Sequence, residues 1–155
     1  MIKLMLLLNT FTLPLAWPIT WEIIQPCKNE IMVEGNTIIE KSLPSVGSFT
    51  IERLNEKKID YLGNENGLIS LNKTPWGEAA MDVVSDNEMY IYGWCYQVNE
   101  VNPELMPADY FFQNKNDHLR WIFSFSHYLN GDWVSMCVPA YERPLQSFCQ
   151  NSNSR

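Results

Sequence analysis

Between residues 119 and 129 the chain places Leu119, Trp121, Phe123, Phe125, His127 and Leu129 at every second position. Period two buries one face of an extended strand and offers a helix no continuous stripe. Asn130-Gly131 follows, and this pair suits a type I′ turn because both central residues need positive φ. The spacing predicts a strand, a tight turn and an antiparallel return over residues 133–138. In that register Tyr128 faces Trp133, Ser126 faces Ser135 and Ser124 faces Cys137. An upstream segment, residues 90–99, alternates in the same way, with Tyr92, Trp94, Tyr96 and Val98 in one apolar row. Any fold for this chain must bury these rows in one sheet.

With 155 residues there is room for one ordinary domain with its own core. Residues 1–16 pair an early positive charge, Lys3, with the apolar run 4–8, broken by Asn9 and stopped at Pro14. That pattern is a secretory signal peptide, too short for a spanning helix, with Ala16 as the residue before cleavage. The mature chain is then expected to be secreted or periplasmic, with no membrane span. A formal net charge of −7 repels nucleic acid and anionic headgroups, which argues against both as partners.

Four cysteines in an exported chain imply two disulfides. The hairpin register puts Cys137 on the face of Ser124 and Ser126, away from Phe123 and Phe125, and alternation puts Cys95 on the face away from Trp94. Cys95 is therefore paired with Cys137, leaving Cys27 with Cys149 to join the two ends of the domain.

Elsewhere, two β-branched runs flank Gly35-Asn36 and predict a type II′ hairpin over residues 31–39. Ser45 after Pro44 is an N-cap for a helix carrying Val46, Phe49 and Leu54 on one stripe, with Lys57 and Lys58 in its last turn. Residues 68–71 form a short strand, and 74–77 a turn that carries Trp76. Residues 79–84 fit a short helix or a strand equally, and 109–112 read as another short strand. The polar residues after Cys149 are expected to be disordered. This order implies an α+β fold: a β-grasp-like roll, one main helix packed on a mixed, largely antiparallel sheet. The divisions are a signal peptide at 1–16, a lead-in at 17–30, the roll at 31–140 and a tail at 141–155.

Several residues in this roll carry a likeness to a known family. The helix opening at Ser45-Val46, Gly93-Trp94, Val98-Asn99, Pro103, Asp109-Tyr110, and Asp117 followed by Trp121 resemble the transcobalamin-like C-terminal domain family in order and spacing. The likeness spans residues 33–139, and that family includes the β-domain of the cobalamin carriers transcobalamin and intrinsic factor. Glu100 departs from the family's pattern, which has glycine after the asparagine, where a tight turn wants positive φ. The resemblance implies an exported binding module that supplies one wall of a small-ligand, corrinoid-like site. A lone wall encloses too little of a ligand for tight binding, so the expected cobalamin-like affinity is weak.

Candidate ligand-binding residues are Trp76, Tyr92, Trp94, Tyr96, Tyr128 and Trp133, since aromatic faces stack on planar ligands. The competing reading is that aromatics at strand spacing are core and cross-strand pairs. Tyr128 and Trp133 face each other away from the Phe123 row and form the more exposed pair. No catalytic residues are assigned: alternation points His127 away from Cys137, which removes a base from that thiol. His118, His127 and the cysteines lack metal-ligand spacing, so no metal or other cofactor is expected. Asp82, Asp86, Glu88, Asp117 and Asp132 are scattered and read as solvated. Asn72-Lys73-Thr74 is a formal glycosylation sequon, followed by Pro75. The alternative to a ligand-binding module is a structural or protein-interaction domain of the cell envelope, meeting its partner through the Tyr128/Trp133 patch or a free strand edge.

Overall fold

The computed structural model describes residues 16–39 and 42–152. The signal-peptide reading therefore falls, apart from Ala16, outside the described residues. Strands β1 (Trp17–Ile24) and β2 (Ile31–Ile39) precede helix α1 (Val46–Lys57). Then come β3 (Tyr61–Asn64), β4 (Gly67–Leu71), a 3₁₀ turn at Gly77–Ala80, β5 (Met81–Ser85), β6 (Glu88–Val98), β7 (His118–Leu129) and β8 (Asp132–Pro139). A short helix, α2 (Gln146–Ser152), ends the described chain.

Among the described residues one sheet has the order β2-β1-β7-β6-β5, with β8 also paired to β7, and β3-β4 form a separate hairpin. β1 runs parallel to β7 and the other ladders of the large sheet are antiparallel. The fold is thus α+β, mostly sheet, with a mixed main sheet and one main helix.

The two alternating rows meet residue for residue. Tyr92, Trp94, Tyr96 and Val98 stand opposite Phe125, Phe123, Trp121 and Leu119. All eight are buried, and they share a core with Ile19, Trp21 and Ile23 of β1 and Val46, Phe49 and Leu54 of α1. The helix starts where expected: Ser45 Oγ accepts a hydrogen bond from Ser48 N at 3.1 Å. Thr50, β-branched in mid-helix, donates to Val46 O at 2.7 Å and accepts from Trp121 Nε1 at 2.9 Å. Tertiary bonding thus overrides its weak helix propensity.

The sheet begins upstream of residue 31. The lead-in contains β1, which lies between β2 and β7. Pro18 is tolerated because the β7 ladder begins only at Thr20, so the absent N–H removes no bond on that side. The expected hairpin at Gly35-Asn36 is absent, because residues 31–39 run straight through as β2. Gly35 pairs with Trp21, and a Cβ there would lie 2.7 Å from the indole ring. Glycine serves close approach at this position, not a turn.

Asn130 and Gly131 have φ of 52° and 101°, and Tyr128 pairs with Trp133 as expected. Beyond that the register departs from expectation. His127, not Ser126, faces Ser135; Phe125 faces Val138; and Ser124 faces Pro139, not Cys137. β8 gains one residue at each of two irregularities, and Cys137 adopts φ 54° within the second. Bulges re-aim side chains. The pairing of cysteines is nonetheless as expected: Cys95–Cys137 and Cys27–Cys149 are bonded, with Cα separations of 5.8 and 5.5 Å.

Three smaller expectations also change. Residues 79–84 split between the 3₁₀ turn and β5. Residues 109–112 contribute a single bridge, Ser45 to Phe111, and no strand. The chain after Cys149 continues as helix to Ser152.

Candidate functional site

The six aromatic candidates separate into three places. Tyr92, Trp94 and Tyr96 belong to the core, at 4, 9 and 7% exposure. Their polar tips are occupied: Tyr92 Oη donates to Arg143 O (3.0 Å), Trp94 Nε1 to Thr74 Oγ1 (2.9 Å) and Tyr96 Oη to Leu105 O (2.7 Å). Burying such side chains stabilises the fold by about 1.5–3 kcal/mol each; Trp94 and Tyr96 keep only edges toward a cleft of about 260 Å³ that they line with Leu105, Pro107 and Trp121. Burial also lifts the two phenols: Tyr96 is pushed up to about 12, first by burial, then by Tyr110 and Asp109. Tyr92 is raised mainly by burial, against the lowering pull of Arg143.

Trp76 stands apart, 57% exposed. It follows an anchor that the sequence disguises as a sequon. Asn72 and Lys73 take φ of 48° and 64°, and Asn72 N donates to Asp60 O at 2.8 Å. Thr74 is buried at 2% exposure; its Oγ1 accepts from Leu71 N at 3.0 Å and from Trp94 Nε1 at 2.9 Å. Ser70 Oγ donates to Thr74 O at 2.7 Å. The sequon threonine is thus a structural pin, and it holds Pro75-Trp76 at the surface. Beside Trp76 lies an open trough of about 650 Å³, lined by Asp60, Tyr61, Leu62, Lys73 and Pro75 among others. These trough residues come from β3 and the residue just before it, and from the turn after β4.

Tyr128 and Trp133 pair edge-to-face at 5.4 Å on the β7–β8 hairpin. Trp133, Val134 and Met136 are all exposed, at 48, 54 and 67%. This patch and the trough share no residues.

Sequence reasoning missed three polar clusters. Asp117 is not solvated but 2% exposed. Its Oδ1 accepts from Asn99 Nδ2 at 2.8 Å, and its Oδ2 from the backbone N–H groups of Gln113 (2.8 Å) and Asn114 (2.9 Å). Asn99 also accepts from His118 N at 2.9 Å, so the hub fixes both ends of the long β6–β7 connection. Asn99 and Glu100, at φ 53° and 67°, form a tight turn closed by two Val98–Val101 backbone bonds of 2.9 and 3.1 Å. The turn forms although Glu100 replaces glycine.

On β1 the buried Glu22 meets Arg120 and, at 3.3 Å, His118 Nε2; His118 Nδ1 lies 2.9 Å from Thr20 Oγ1. A glutamate inside an apolar strand needs a cationic partner, and that was the available signal. In the third cluster His127 stacks on Tyr90 at 4.2 Å and 5°, with Nε2 3.0 Å from Glu88 Oε1. Arg143 covers Tyr90 at 3.8 Å and bonds Asp82 at 2.7 Å. The Tyr90 phenol is raised by burial and by its bond to Glu88.

All four sulfurs are in disulfides, so His127 has no thiol to activate. Among the described residues no three His, Cys, Asp or Glu side chains converge as metal ligands, and no helix is long and apolar enough to cross a membrane. No protein-family model matches the chain, and no curated protein matches it.

Proposed function

We propose that this chain is an exported, non-enzymatic binding module whose small-ligand site is the open trough at Trp76. The observation that carries this reading is an indole held at the surface by a buried pin. Thr74 is immobilised by three hydrogen bonds from or to the core, so Trp76 is presented to solvent at little further entropic cost. Two disulfides fit an oxidising, extracytoplasmic compartment. The β-grasp-like arrangement and the likeness to transcobalamin-like domains belong to the same proposal, as does a corrinoid-like ligand held against one wall.

The trough is one-sided, and tight small-molecule sites enclose most of the ligand. Cyanocobalamin should therefore bind the isolated chain no more tightly than about 0.1 mM. An absorbance titration tests this; tight one-to-one binding would overturn the one-wall reading.

A second reading rests on Trp133, Val134 and Met136, exposed on a strand that pairs with β7 alone. In it, β8 meets a partner protein, and Tyr128→Ala with Trp133→Ala abolishes capture of that partner from envelope extracts. Unchanged capture by the doubly substituted, folded chain would remove the patch from consideration.

A further inference from the structure

The trough's own chemistry narrows the ligand class. Three of its hydroxyls are already engaged within the protein, Ser70 Oγ with Thr74 O, Thr74 Oγ1 with Leu71 N and Trp94 Nε1, and Tyr61 Oη with Asn55 Oδ1. The groups left for a ligand are the exposed Trp76, the ring of the half-buried Tyr61, the Asp60 carboxylate and the Lys73 ammonium. Asp60 and Lys73 carry opposite charges, so a net anion or cation gains little from the pair. An acceptor and a donor beside a bare indole instead suit a neutral ring with one apolar face and a rim of hydroxyls.

A pyranose has that character. Its axial C–H face packs on an aromatic ring, while its equatorial hydroxyls donate to a carboxylate and accept from an ammonium. Openness favours the same class, because hydroxyl-rich ligands keep bridging water at little loss, whereas an apolar plane needs enclosure. At about 650 Å³ the trough has room for more than one ring. Resting on the binding-module reading above, we infer that the trough binds a neutral oligosaccharide. One sugar ring stacks on Trp76, and Asp60 and Lys73 bond its hydroxyls.

The test uses the chain with both disulfides formed. Binding of triacetylchitotriose and of maltotriose is followed by saturation-transfer difference NMR on the sugar protons, which needs no tryptophan as reporter, and cyanocobalamin is titrated in parallel by difference absorbance. At least one saccharide should give a saturable change with a Kd of about 0.1–10 mM. Trp76→Ala should weaken it at least about tenfold and Asp60→Asn several-fold, each a loss of one stacking or hydrogen-bonded contact. Trp76→Phe, which keeps a ring face, should retain part of the affinity, and Trp133→Ala should bind as the parent does. Saturable cyanocobalamin binding that needs Trp76, with no saccharide response, would overturn the sugar assignment and leave the module reading standing. No response to either probe would overturn both. Saccharide binding that survives Trp76→Ala would overturn the location.

Discussion

Asp117 shows how one side chain can hold a loop. Its carboxylate accepts three hydrogen bonds of 2.8–2.9 Å at 2% exposure. Asp117→Ala leaves the donors of Asn99, Gln113 and Asn114 unpaired, and should cost about 3–5 kcal/mol in urea unfolding. Glu100 acts in the opposite sense. It sits at φ 67° without a glycine's freedom, so Glu100→Gly should raise stability by about 0.5–1 kcal/mol with no change in the turn. Tyr96 supplies the pH dependence. Its folded pKa of about 12 lies above the ordinary 10.0, so the neutral phenol is favoured by folding. That contribution is complete below pH 10 and is lost as pH rises toward 12. Alkaline unfolding followed by circular dichroism should begin above pH 10, together with phenolate absorbance, and Tyr96→Phe should blunt it.

At the scale of elements, turn chemistry and alternation were legible, while register was not. Asn130-Gly131 announced its hairpin, and Ser45 its helix, because each motif satisfies a local backbone need. The irregularities of β8 carry no glycine and no local marker; Cys137 simply takes φ 54°. The expected pairing of Cys95 with Cys137 holds although the register that led to it does not. Gly35 misled for a related reason: a glycine that admits an indole looks the same in sequence as one that makes a turn. Gly35→Ala should destabilise by about 1–3 kcal/mol through the 2.7 Å clash with Trp21. Trp21→Phe should relieve much of that penalty, since the Cβ would meet Cε2, Nε1 and Cζ2 of the indole, and the smaller ring withdraws from it. Urea midpoints of the two single variants and the double variant measure the coupling.

Taken whole, the molecule is a sheet closed by contacts far apart in sequence. β1 joins β7 in parallel, and Cys27–Cys149 spans 122 residues. The bridge was expected from the cysteine count, and Trp17, Ile19, Trp21 and Ile23 do alternate; what no local pattern marks is the parallel pairing of β1 with a strand a hundred positions away. The candidate site was legible only at Trp76. Its neighbours Asp60, Tyr61 and Lys73 come together through the β3–β4 fold, and the remaining aromatic candidates divide between the core and the β8 patch. Replacing Cys27 and Cys149 by serine should lower stability by about 4–5 kcal/mol in the chain-entropy account.

The central claim is that Trp76, and not Trp133, is where this chain meets its ligand. The indole N–H region of a ¹H–¹⁵N spectrum, recorded while a binding saccharide or corrinoid is added, separates the two most directly. A shift of the Trp76 signal with that of Trp133 unmoved is the predicted result. Movement of Trp133 with Trp76 unchanged would contradict it.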